Sequence, residues 1–78
     1  MTQVRLFAVL RELAGSSEVQ ADGDTVEQVV QQLCDRFGER FTAIAERSSV
    51  VVDGERASLD VELAGGEEVA ILPPVSGG

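Results

Sequence analysis

Apolar and polar positions alternate over residues 2–9, with Val4, Leu6 and Ala8 on one side and Gln3, Arg5, Phe7 and Val9 on the other. A period of two predicts a β-strand with one face toward a core. The second side carries a large aromatic next to an arginine, an unusual choice for a face that meets only water. Arg11-Glu12-Leu13-Ala14-Gly15 then reads as a brief helical turn or loop closed by glycine. Residues 17–21, with Val19 inward, predict a short strand returning antiparallel to the first, and Asp22-Gly23-Asp24 supplies turn chemistry.

The period changes at Thr25. Val26, Val29, Val30, Leu33 and Phe37 form one stripe at helical spacing, and Gly38 is placed to end it. Thr25 is a candidate N-cap, and Gln28, three residues on, can reach back in a capping box. Cys34 lies beside the stripe, without a neighbouring histidine or lysine in sequence to activate it, and reads as a small core residue. Phe41, Ile44 and Ala45 suggest a further helical turn. Ser49-Val50-Val51-Val52 is a β-branched run, Asp53-Gly54 a hairpin turn, and Glu55-Arg56-Ala57 its partner strand. Residues 58–63 are a loop or a single helical turn. Ala64-Gly65-Gly66 turns the chain into a last strand over residues 67–72.

One strong helix among short strands predicts an α+β domain of two layers. The apolar first and last strands belong in the centre of the sheet, side by side. A single covering helix leaves the other face open, with Phe7 and alternate residues of the last strand on it, and an exposed apolar patch rimmed by charge marks a protein partner. The competing arrangement folds residues 58–64 over Phe7 and buries it.

Composition narrows the chemistry. Seventy-eight residues make one small domain near the lower size limit for a self-sufficient core. The net charge of −8 comes from fourteen acids against six arginines and no lysine, which argues against nucleic acid and favours a basic partner surface. The single cysteine excludes an intramolecular disulfide framework, and the chain has no histidine, the commonest metal ligand and general base. No stretch approaches the roughly 20 apolar residues of a membrane span, and the start lacks a signal-peptide layout. A cytoplasmic location is therefore expected. The sequence offers no phosphate loop, nucleophile–base set or metal-ligand cluster. The acid pairs Asp22/Asp24 and Glu67/Glu68 sit at turns, where solvated carboxylates are the rule.

What remains is the end of the sequence. The apolar run Val69-Ala70-Ile71-Leu72 stops at Pro73-Pro74, neither of which can donate to a sheet ladder. Val75, Ser76, Gly77 and Gly78 follow. This divides the chain into a folded body, residues 1–72, and an extended tail, residues 73–78, whose carboxylate reaches roughly 15–20 Å beyond the strand. Gly77 and Gly78 have no Cβ and can thread a narrow slot, and the stiff prolines give the tail a fixed launch point. A carboxylate is a poor electrophile and needs activation, as in an acyl-adenylate. With no nucleotide site in this chain, the activating enzyme must be another protein.

The runs Val4-Arg5-Leu6-Phe7-Ala8-Val9-Leu10-Arg11-Glu12-Leu13-Ala14-Gly15, Asp24-Thr25-Val26, and Gly66-Glu67-Glu68-Val69-Ala70-Ile71-Leu72-Pro73-Pro74-Val75-Ser76-Gly77-Gly78 carry a family resemblance. The sequence resembles the ubiquitin-like sulfur carriers, most nearly the small subunits of molybdopterin synthase, over essentially its whole length. That resemblance implies a β-grasp fold with one main helix packed on a mixed sheet. It implies that Gly78 is adenylated with Mg-ATP by an E1-like adenylyltransferase and converted to a thiocarboxylate by a sulfur donor system. The tail, Pro73 to Gly77, then enters the large subunit of molybdopterin synthase, where sulfur is delivered to build the dithiolene of molybdopterin. Phe7, Leu59 and Val75 are the implied partner contacts. The chain would be a sulfur-donating subunit with no catalytic machinery and no bound cofactor or metal of its own. A carrier for thiazole or cysteine synthesis, a ubiquitin-like protein modifier joined through Gly78, and a plain binding module with an inert tail remain open alternatives.

Overall fold

The computed structural model describes residues 2–74. In chain order these form β1 (Thr2–Leu6), α1 (Ala8–Ala14), β2 (Glu18–Ala21), α2 (Val26–Phe37), α3 (Glu39–Ala45), β3 (Ser49–Val52), β4 (Glu55–Ala57) and β5 (Glu68–Leu72). The strands make one mixed sheet in the order β2-β1-β5-β3-β4. β1 and β5 lie side by side at its centre, as their apolar content predicts, and they run parallel, with Val4 opposite Val69 and Leu6 opposite Ile71. The helices pack on one face, and their buried residues join those of the sheet in one cluster: Val26, Val29, Leu33 and Cys34 from α2, Leu10 from α1, and Phe41 and Ala45 from α3, against Val4, Leu6, Val50, Val69 and Ile71. This is the α+β, β-grasp arrangement. None of the described helices is long and apolar enough to cross a membrane.

The first strand is shorter than its alternation predicts. β1 stops at Leu6, and Phe7, still extended at φ −126°, is the N-cap of α1. Ala8 has φ +50°, a left-handed conformation that turns the chain out of the strand. The helix then carries Leu10 into the core, with Leu13 and Ala14 packed against it, a set at i, i+3 and i+4. The alternation that puts Ala8 on the core side ends here: Ala8 and Val9 are both exposed, and the burial of Leu10 marks the change of period. Gly15 closes α1 in the left-handed conformation, φ +77°, and its N–H donates to the Arg11 carbonyl at 2.9 Å.

α2 follows its predicted stripe and cap. The Thr25 hydroxyl accepts from the Gln28 N–H at 3.2 Å. Gln28 reaches back one residue further than a capping box requires: its side-chain oxygen takes the Asp24 N–H at 2.7 Å. Gln32, one turn on, takes the Asp22 N–H at 2.7 Å. The two glutamines thereby fasten the 22–24 turn to the helix. Phe37 and Phe41 pack across the Gly38 joint with ring centroids 5.1 Å apart, which fixes α3 as a full helix. The Asp53-Gly54 turn joins β3 and β4 as expected, both residues having positive φ.

Residues 58–63 go to the N-terminus of α2. The Val26 N–H donates to the Val61 carbonyl at 3.0 Å, the Glu27 N–H to the Leu59 carbonyl at 2.9 Å, and the Leu63 N–H to the Asp24 carbonyl at 2.8 Å. Two orphan donors of the helix end are satisfied this way, and Leu63 enters the core. The loop is held at this helix end, and Phe7 remains exposed.

Candidate functional site

Strand directions decide which residues surround the start of the tail. β1 and β5 are parallel, while β3 runs antiparallel to β5 and to β4. The end of β1, the end of β5, the start of β3 and the end of β4 therefore share one edge of the sheet. On that edge Leu6 lies opposite Ile71, Ser49 opposite Leu72, and Val50 opposite Ala57. β5 occupies the centre and ends at Leu72, directly before Pro73. Pro73 is half-buried and Pro74 exposed. The predicted tail residues Val75, Ser76, Gly77 and Gly78 lie outside the described residues.

Phe7 and Leu59 flank this exit. Phe7 is 38% exposed and continues β1 on the side opposite the buried Leu6, beside the end of β5. Leu59 is 50% exposed and follows β4, its carbonyl fixed by the Glu27 N–H. With strands about 4.8 Å apart, β1 and β4 are separated by three spacings, about 14 Å. The two predicted contact residues thus stand on either side of the tail's departure and do not form one continuous patch. Leu72 and Val9 are exposed large apolar side chains as well. Leu72 follows from the alternation set by Val69 and Ile71. Val9, which the alternation places on the side of Phe7, is exposed as a residue of α1 and not of a strand.

Charge is arranged along the open face. Arg5 lies 3.9 Å from the Glu18 carboxylate and 4.0 Å from that of Glu68. These pairs are well exposed and contribute about 0–1 kcal/mol each. Arg56 donates to the Ser49 hydroxyl at 3.4 Å, close to the end of β5. One of the acids at the turns, Glu67, has a structural task. Both carboxylate oxygens of Glu67 accept backbone N–H groups, from Ala64 and Gly65, each at 2.8 Å. The bond from Ala64 is the largest of the causes holding this carboxyl below its ordinary 4.5. Glu67 clamps the Gly65-Gly66 turn that feeds β5. Cys34 is buried, and among the described residues no cluster of three His, Cys, Asp or Glu side chains is arranged to hold a metal ion.

The fold and this edge define a β-grasp domain whose chain leaves from the middle of its sheet, between two apolar flanks. The chain belongs to the ThiS family, whose profile matches residues 4–78. It is 38% identical over 82 aligned positions to the molybdopterin synthase sulfur carrier subunit of Escherichia coli K12, with all of both chains covered. It is 36% identical to small archaeal modifier protein 1 of Haloferax volcanii, covering 95% of this chain and 97% of that one. The solution structure of small archaeal modifier protein 1 from Methanosarcina acetivorans superposes with a TM-score of 0.87 at 31% identity, over 99% of this chain and 95% of the other.

Proposed function

We propose that this protein is a sulfur carrier for molybdenum cofactor biosynthesis, working through a thiocarboxylate at Gly78. The observation that carries the reading is the exit of β5 through Pro73-Pro74 at the centre of one sheet edge, between the exposed Phe7 and Leu59. Likeness over full length to a molybdopterin synthase sulfur carrier subunit supports it. In this reading residues 1–72 are the body that partners grip, and residues 73–78 are the arm that reaches their active sites.

The chemistry divides between proteins. An E1-like adenylyltransferase binds Mg-ATP, and the Gly78 carboxylate attacks the α-phosphorus, releasing pyrophosphate. Hydrosulfide supplied by the donor system then attacks the acyl carbon and AMP leaves, giving the thiocarboxylate. The large synthase subunit receives the loaded tail and transfers its sulfur to the pterin precursor. This chain contributes a fixed launch point, two glycines narrow enough for the slot, and apolar anchors for docking. Pro73 and Pro74 have little freedom to lose on insertion.

The test alters the length of the tail. Deleting Gly78 moves the carboxylate back by roughly 3.5 Å, more than a near-attack geometry of about 3–3.5 Å between reacting atoms tolerates. The des-Gly78 protein is expected to fold and melt normally, to gain no sulfur by intact-mass analysis, and to support no product. Product at the normal rate, in a purified system without unaltered carrier, would refute the reading. The likeness to a small archaeal modifier favours one second reading, conjugation through Gly78 to amines of other proteins. Covalent adducts of higher mass in cells, lost on deleting Gly78, are its signature.

A further inference from the structure

We infer that the groove between α2 and α3, with Leu59 at its mouth, is a second docking slot. Its occupant is a basic segment, tipped by an apolar side chain, of the same protein that accepts the tail. The inference rests on the carrier reading above and extends it to a surface on the helical layer. The groove has a volume of about 290 Å³, and its floor includes Val30, Cys34, Ala45 and Val50. Glu27 and Glu46 stand among its polar lining, which includes no arginine. An apolar floor under two carboxylates fits an aliphatic or aromatic side chain flanked by cations.

Three features favour this occupant. The first is continuity with the exit. Ser48, Val50 and Leu59 line both this groove and the shallow cleft that holds Ser49 and Arg56, and Ser49 pairs with Leu72 at the end of β5. A partner that grips the tail is therefore within reach of the groove. The second is preorganisation. The Glu27 N–H holds the Leu59 carbonyl at 2.9 Å, and the Ser58 hydroxyl bonds the Asp60 carboxylate, so the mouth is fixed before binding. The third is charge. A second copy of a chain at −8 would be repelled from an acidic rim, whereas a basic segment is drawn to it.

The experiment titrates the purified large synthase subunit with full-length carrier by calorimetry, at low and at high salt. Glu27→Gln/Glu46→Gln is compared with Glu12→Gln/Glu39→Gln, which removes the same charge away from the groove. The groove variant is expected to bind about tenfold more weakly at low salt and to show a flatter salt dependence. Leu59→Ala is expected to weaken binding at both salt concentrations, and the control to bind as the unaltered chain does. Unchanged affinity in the folded groove variant would overturn the inference. So would equal losses in the two double variants, which would trace the attraction to net charge alone. A dimer of the unaltered chain, lost in the groove variant on sedimentation, would assign the slot to a second copy and overturn it too. If the unaltered carrier does not bind the large subunit, the carrier reading fails together with the slot.

Discussion

Replacing Phe7 by alanine separates the ring's part in the fold from the docking role that the proposed carrier function gives it. A phenylalanine carries about 200 Å² of surface, of which 38% is exposed in the free protein, leaving about 75 Å² for a partner to cover. At about 25 cal/mol per Å² this corresponds to about 2 kcal/mol of docking free energy, or about thirtyfold in Kd. The other roughly 125 Å² is already covered inside the domain and sets an upper limit of about 3 kcal/mol on the stability lost. Both losses are expected together, because Phe7 stands where β1 passes into α1. The assay is calorimetric binding to the large synthase subunit well below the melting temperature of the variant, with the folded fraction checked by circular dichroism. A folded Phe7→Ala protein that binds within about threefold of the unaltered chain would remove Phe7 from the interface and leave its exposure without a functional meaning.

Thr25→Ala removes the hydroxyl that accepts the Gln28 N–H and is expected to cost about 0.5–2 kcal/mol, read as a fall in Tm of about 4–8 °C per kcal/mol for a domain of this size. Phe41 is fully buried, so Phe41→Ala is expected to cost about 3–5 kcal/mol and to shift the denaturant midpoint sharply; an unchanged midpoint would mean that α3 does not share the core. Glu67 has a lowered folded pKa, so its clamp stabilises the protein fully above 4.5, and that contribution is lost as pH falls through the lower folded value. Glu67→Gln is expected to reduce the loss of Tm across that acid range relative to the unaltered protein, and parallel pH profiles would show that the two backbone bonds do not discriminate the charged form.

The strongest local signals survive the fold almost unchanged. A long apolar stripe under a threonine cap has one good solution, and α2 adopts it from Val26 to Phe37. Asp53-Gly54 needs two positive φ values, and the Pro73-Pro74 pair removes two ladder donors, so both the hairpin and the end of β5 are written into the backbone chemistry. The expectation for Val75 to Gly78, which lie outside the described residues, rests on the sequence alone, because the chemistry of a carboxylate and the narrowness of glycine are properties of the residues themselves.

Other features needed the three-dimensional neighbours. In residues 2–14 the alternation of the strand runs on in sequence through Ala8 and Val9; the positive φ of Ala8 and the burial of Leu10 decide where the helix takes over. The loop at residues 58–63 has little period of its own, and the unsatisfied N–H groups of α2 draw it to the helix end. Glu67 looks like any surface acid until the Gly65-Gly66 turn aims two N–H groups at it. Phe7 and Leu59, far apart in sequence, flank one exit only because strand order and direction bring the ends of β1, β5 and β4 to a single edge. A sequence records which side chains are apolar and which turns are possible. Which of them share an edge depends on long-range strand pairing, which local patterning alone does not specify.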